Sequence, residues 1–234
     1  MKIKTEAEKG MKGGRVKAVQ VIASTIGAIF GIAGMNHGFF EILQVNKPTN
    51  GFIIQAIGEG QRFWELGTEE AFTIIPNFLL SGILSMILGA AIVVWSIWHI
   101  QTRHGTRVFF LLFVLLFLCG GGIGQIVFFI PAWAFATRIN KPLKWWQKAL
   151  HPRIRPILSR IWAVILVLSS ISMVIGMLIA VFGYIPGITD PEQVRDFAML
   201  LVAISAILNI AAFIAGMGDQ LFKTDEALSK IRDF

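Results

Sequence analysis

The positive charges of this chain fall between its long apolar stretches, and that alternation limits the folds open to it. Nearly every Lys and Arg lies in one of four segments, Lys2–Lys17, Arg103–Arg107, Arg138–Arg160 and Lys223–Arg232, and only Lys47, Arg62 and Arg195 lie elsewhere. The stretches between them are long enough to cross a bilayer, whose hydrocarbon core takes roughly 20 helical residues. Inside that core each backbone N–H and C=O must be satisfied within its own segment, which a helix does. The sequence predicts an all-α, multi-pass integral membrane protein.

Composition agrees. The 234 residues are 55% hydrophobic and 15% charged, where a soluble domain carries about 25% charged residues. Folding in water would need several helices apolar on every side, buried in a core this chain is too short to build. The net charge of +7 does not imply nucleic acid. The basic residues flank apolar segments, where they face anionic headgroups and fix topology. One cysteine, Cys119, excludes an internal disulfide framework, and the scattered His and Cys residues give no zinc-type spacing. No cofactor and no metal are expected. The partners implied are anionic lipid headgroups and, for the apolar faces, a second copy or another membrane subunit. In a prokaryote the location would be the plasma (inner) membrane.

Residues 1–17 read as a basic cytoplasmic tail, 18–217 as one transmembrane domain, and 218–234 as a polar cytoplasmic tail holding a short amphipathic helix. The first apolar stretch is too long for the core of a cleaved signal peptide, so it reads as a span. Spans are expected at about 18–44, 73–100, 108–136, 161–183 and 194–217. Residues 45–72 read as a long loop carrying Glu59, Glu65, Glu69 and Glu70. Pro76 is expected in the first turn of the second span, where proline is tolerated.

The stretch 108–136 is unusual. Val108–Cys119 is apolar, Gly120-Gly121-Gly122-Ile123-Gly124 interrupts it, and Gln125–Ala136 is apolar again. If this stretch crosses, there are five spans and the basic residues divide almost evenly between the two sides. If it enters and returns on one side, Lys47, Arg62 and Arg195 lie outside and the remainder of the 21 basic residues lie inside with both termini. The positive-inside rule favours the second arrangement. Each half is about 18 Å long as a helix, short of a core of about 30 Å. The expected fold is four spans plus a glycine-hinged re-entrant hairpin, with five spans as the alternative. In the alternative the glycines sit at a close helix contact.

Span one carries a seam of small and polar residues: Gln20, Ser24, Gly27, Gly31, Gly34, His37, Glu41 and Gln44. Its spacing averages about 3.5 residues, the period of left-handed helix packing. Asn77, Ser81, Ser85 and Gly89, then Ser169, Ser172, Gly176, Ala180 and Gly183, then Ala198, Ser205, Asn209, Ala212 and Gly216 form similar faces. Small residues at such spacing let helix backbones approach inside lipid.

His37 and Glu41 stand out on the first seam. Four residues apart, their side chains are neighbours, and an ionisable pair facing protein inside a membrane points to function because burial there is expensive. Asn36 and Gln44 flank them, and Glu65, Glu69 and Asn77 could join an outer polar pocket. The pair could act as acid and base, relay a proton, or gather a cation. In the structural reading Glu41 neutralises Arg62 or holds the His37 tautomer. His99, beside Trp95 and Trp98, reads as an interfacial residue; it and His37 lie near opposite ends of adjacent spans and cannot share one iron.

Gly120, Gly121, Gly122, Gly124 and Gln125 form the candidate hinge. A broken helix of this kind lines solute sites in some transporters, with Gln125 then facing the site. The run does not fit a dinucleotide fingerprint, since no strand precedes it and the spacing fails. Segment 138–160 reads as a surface elbow, with Lys144, Trp145, Trp146, Lys148, Arg153 and Arg155 on anionic headgroups. His37-x-x-x-Glu41 with Gly124-Gln125-Ile126 resembles emopamil-binding-type sterol isomerases, which use a His and acidic residues inside a helix bundle. The surrounding residues depart from that pattern, and the chain is not assigned to that family. Three functions follow as expectations: handling of a small solute, ion or proton around His37 and Glu41; acid–base chemistry on a lipid-like substrate at the same pair; or an accessory role in a membrane complex.

Overall fold

The computed structural model describes residues 17–232; the first sixteen residues of the basic tail lie outside them. Four helices are long and apolar enough to cross a membrane: α1 (Ala18–Leu43), α2 (Phe78–Trp98), α6 (Arg155–Phe182) and α7 (Pro191–Arg232). Between them lie a short sheet, β1 (Ile53–Ile57) and β2 (Glu69–Phe72), and three shorter helices, α3 (Gly105–Leu118), α4 (Ile126–Ala136) and α5 (Lys144–Ala149).

Helix α1 is the centre of the bundle: its apolar core is 56% buried, against 28% for each of the other three long helices. Glycine makes that possible. A Cβ at Gly31 would stand 2.7 Å from the Gly89 carbonyl oxygen, and one at Gly38 would stand 2.5 Å from that of Gly82. The α1 and α2 backbones therefore touch. On a second face, Gly34 meets Leu116 of α3, and Gly27 meets Ser96 and Phe109. The contact rests on close shape and on hydrogen bonds such as Ser24 Oγ to the Ser96 carbonyl at 2.5 Å, the means by which helices associate where lipid surrounds them. Helices α6 and α7 pair in the same way. Ser169 and Ser205 each donate to the other's carbonyl at 3.0 Å, and Gly176 lies against Val202 and Ala198. Val164, Ile171, Leu178, Met199 and Ile207 on the outside of this pair are exposed, as a lipid-facing surface would be.

Helices α3 and α4 run antiparallel, with Phe110 on Trp133 and Phe113 on Phe129 at centroid distances of 4.6 and 5.0 Å. Their open ends lie together. Trp95 Nε1 donates to the Gly105 carbonyl at 2.8 Å, Asn140 Nδ2 donates to the Gln101 carbonyl at 2.7 Å, and Lys17 Nζ reaches the Ile139 carbonyl. The chain from 105 to 136 thus returns to the end of the bundle from which it set out, here called the elbow end. Its glycine turn lies at the opposite end, the sheet end. There Gly120 N–H donates to the Phe72 carbonyl at 3.0 Å and Ile74 N–H to the Leu118 carbonyl at 2.9 Å.

Four expectations change. The fold is mostly helical but not all α: β1 and β2 pair antiparallel with an irregularity at Gln55/Ile57. Strands this short carry too few alternations to separate from loop by pattern. Pro76 precedes the second span rather than opening it. Asn77 is the N-cap, its side chain accepting from Leu80 N–H at 3.1 Å. The final helix does not stop near 217 but runs unbroken to Arg232. Its polar extension has a partner at the elbow end, where Asp219 accepts from Ser159 at 2.7 Å and Leu221 is buried. Arg155, expected on headgroups, is 6% exposed. Its guanidinium donates to the carbonyls of Leu150 and Gln147 at 3.0 and 2.8 Å and to Asp225 at 2.6 Å, fixing α5 against α7.

Candidate functional site

Three distant pieces of chain meet at the sheet end. The α1 seam brings His37 and Glu41, strand β2 brings Glu69, and the glycine turn brings Gly120, Gly122 and Gln125. His37 Nε2 lies 2.8 Å from Glu69 Oε2, and the Glu69 side chain is 28% exposed. His37 is 9% exposed, Gln125 7% and Glu41 0%. The order Glu69, His37, Glu41 therefore runs from the surface into the protein.

The turn lies directly on this row. Gly120 and Gly122 have φ of +100° and +94°, a region that side-chain-bearing residues rarely adopt. A Cβ at Gly120 would overlap both carboxylate oxygens of Glu41, and one at Gly122 would stand 3.0 Å from His37 Cε1 and Nε2. Glycine is required here both by conformation and by closeness. The turn is tied down through the Cys119 carbonyl, which accepts from Ser81 Oγ at 2.8 Å and Ser85 Oγ at 2.5 Å. Thr73 Oγ1 joins Ser81 Oγ at 2.9 Å.

Both oxygens of Glu41, Nδ1 of His37 and Nε2 of Gln125 are buried without a hydrogen-bond partner. The Ser81 hydroxyl borders Glu41 but is already engaged with Cys119 and Thr73. A buried polar group left unpaired costs about 1–3 kcal/mol, and native interiors hold few of them. Several in one cluster, on groups that carry protons, mark the site. Burial by itself would push the Glu69 carboxyl up. The hydrogen bond from His37 and the charge on that ring outweigh it and hold the carboxyl below its ordinary value.

Other sequence-predicted residues have different work. Gln44 Nε2 donates to the carbonyls of Gln55 and Ala56 at 2.8 and 3.0 Å, pinning the sheet to α1. Asn77 caps α2 and donates to Asn46 at 2.6 Å. Glu65 is exposed, its carbonyl accepting from Arg62 at 2.7 Å, so Arg62 does not neutralise Glu41. Asn36 is half-buried, and no hydrogen bond joins it to the cluster. Gly121 packs on Leu116, while Gly124 faces open space. At the elbow end Lys144, Trp145, Lys148 and Arg153 are exposed and Trp146 is half-buried. His99 stacks on Trp95 at 4.9 Å.

No known protein family, curated protein or solved structure matches this chain. The chemistry must therefore be read from the residues. Among the described residues, no group of three or more His, Cys, Asp or Glu is placed to hold a metal ion. The backbone of Gly120 lies against the Glu41 carboxyl.

Sequence reasoning passed over Thr73, Gly38 and Gly82. The two glycines lie four positions before Ile42 and one after Ser81, off the seams drawn through their neighbours. A helix contact wider than one stripe uses them as well.

Proposed function

We propose that this protein is a multi-pass membrane protein that takes up and releases a proton at Glu41, loaded from the outer aqueous side through Glu69 and His37. The observation that carries this reading is the pairing of His37 Nε2 with Glu69, whose side chain is partly exposed, at 2.8 Å while Glu41, on the next turn of α1, is fully buried with neither oxygen in a hydrogen bond. An imidazole with one nitrogen on a surface carboxylate and the other unpartnered can pass a proton by exchanging tautomers. On the elbow side of His37 the α1 contacts become apolar, through Leu116, Phe30 and Phe113. The row therefore ends at a loading site and does not continue as a channel. The glycine turn is the wall most directly exposed to a change of charge on Glu41.

In this reading 105–136 is a re-entrant hairpin, the sheet end faces outward, and both termini are cytoplasmic. The shared position of Asn140 and Gln101 supports it, as does the excess of basic residues at the elbow end.

The test is infrared difference spectroscopy of the reconstituted protein across an external pH step. A carboxylic C=O stretching band should change with pH in the wild type and be missing in Glu41→Gln, with helicity retained by circular dichroism. His37→Gln should slow its appearance. A wild type with no such band, or a band unaffected by Glu41→Gln, would overturn the proposal and leave Glu41 a packing residue.

A further inference from the structure

A second site lies at the elbow end, far from the proton row. A cavity of about 270 Å³ opens between α4 and α5, lined by Ala134, Phe135, Arg138, Leu143, Trp145 and Trp146 among others. Its floor is apolar and aromatic. Arg138 is the cation in its lining. It has no anionic partner among the described residues, whereas Arg155, Lys223 and Lys230 do.

Helix α4 adds a track. Val127 and Ile130 are exposed at 62% and 44%, and Ala134 is exposed as well. Residues 127, 130 and 134 fall on one helix face, which leads along the hairpin to the cavity and to Arg138. The site thus offers an apolar stripe, then an aromatic cup, then a guanidinium. The Arg155 bonds to Gln147, Leu150 and Asp225 hold α5 in place, so the cup is formed in advance.

We infer that this cavity binds one anionic phospholipid, its phosphate on Arg138 and an acyl chain along Val127, Ile130 and Ala134. Arg is suited to a phosphate by its planar fork of donors, and Trp side chains suit the boundary between chains and headgroups. This is a discrete site, different from the diffuse attraction of a basic surface for anionic lipid. It faces the descending arm of the hairpin whose turn covers Glu41, but its occupancy does not depend on the proton reading.

Native mass spectrometry of the full chain, purified in detergent and titrated with dioleoyl phosphatidylglycerol, dioleoyl phosphatidylcholine or inorganic phosphate, tests it. The wild type should retain one phosphatidylglycerol in preference to phosphatidylcholine and show no saturable phosphate binding. Arg138→Gln should weaken phosphatidylglycerol about tenfold, the loss of a charge-assisted contact, and Ala134→Phe should block the cup. Lys148→Gln, on the same surface but not in the lining, should change affinity less than about twofold. Equal retention of both lipids would overturn the inference. So would equal losses in Arg138→Gln and Lys148→Gln, or phosphate binding as tight as lipid binding.

Discussion

The carboxyl of Glu41 rests against the backbone of Gly120 so closely that a single methyl group at 120 would overlap both of its oxygens. Gly120→Ala should therefore destabilise the protein by about 2–4 kcal/mol, combining the cost of positive φ with overpacking. Glu41→Ala removes the overlap and leaves the backbone strain. In that background Gly120→Ala should cost less, and a double-mutant cycle by thermal unfolding in detergent measures the difference. Additivity within about 0.5 kcal/mol would separate the two residues.

Glu69 and His37 should give stability an acid-side pH dependence. The folded-state carboxyl lies below its ordinary value, so the unfolded chain binds the proton first as pH falls. The contribution is complete above the ordinary carboxylate value and disappears as pH drops through the lowered one. Glu69→Gln should have a lower unfolding midpoint than the wild type at neutral pH, and the two should converge in acid. Parallel pH profiles would mean that the pair contributes nothing.

The glycine crossing of α1 and α2 sets a second test. Gly82→Ala should gain about 1 kcal/mol of helix propensity yet be destabilised by about 1–3 kcal/mol overall, because its Cβ would press on the Gly38 carbonyl oxygen at 2.5 Å. Gly60→Ala, with nothing within 4 Å of its Cβ, should change stability by less than about 0.5 kcal/mol. Denaturation in mixed micelles compares them.

Arg155 and Asp225 should be unequal partners. The Asp225 side chain is 50% exposed, so Asp225→Asn should cost about 1 kcal/mol or less. Arg155→Gln also leaves the carbonyls of Gln147 and Leu150 without their donor and should cost about 3 kcal/mol. Limited trypsin digestion should then cut at Lys144 and Lys148 sooner in Arg155→Gln than in Asp225→Asn.

The long helices were legible because lipid demands unbroken apolar segments. The α1 seam was legible because glycine at regular spacing has few other uses inside a membrane. The grouping of His37, Glu41 and Gln125 was harder to foresee, since Gln125 is remote in sequence and reaches the pair only because the chain doubles back at Gly120. Glu69 was one of four acids in the same loop. What selects it is the register of β2, set by Thr73 against Cys119 and by Gln44 on β1. A single short strand does not announce such long-range pairings. Arg155 looked like its basic neighbours because two of its three acceptors are backbone carbonyls, which every sequence has, and the third, Asp225, lies 70 residues away.

Helix α7 does not end where its apolar residues do. From Gly218 to Arg232 it continues for about 22 Å at the helical rise, and an unbroken helix bends little over that distance. The first two turns of this extension stay seated on the elbow end through Asp219, buried Leu221 and Asp225. The helix that meets Ser169 in the middle of the bundle therefore also clamps the start of α6, and one rigid rod joins the two.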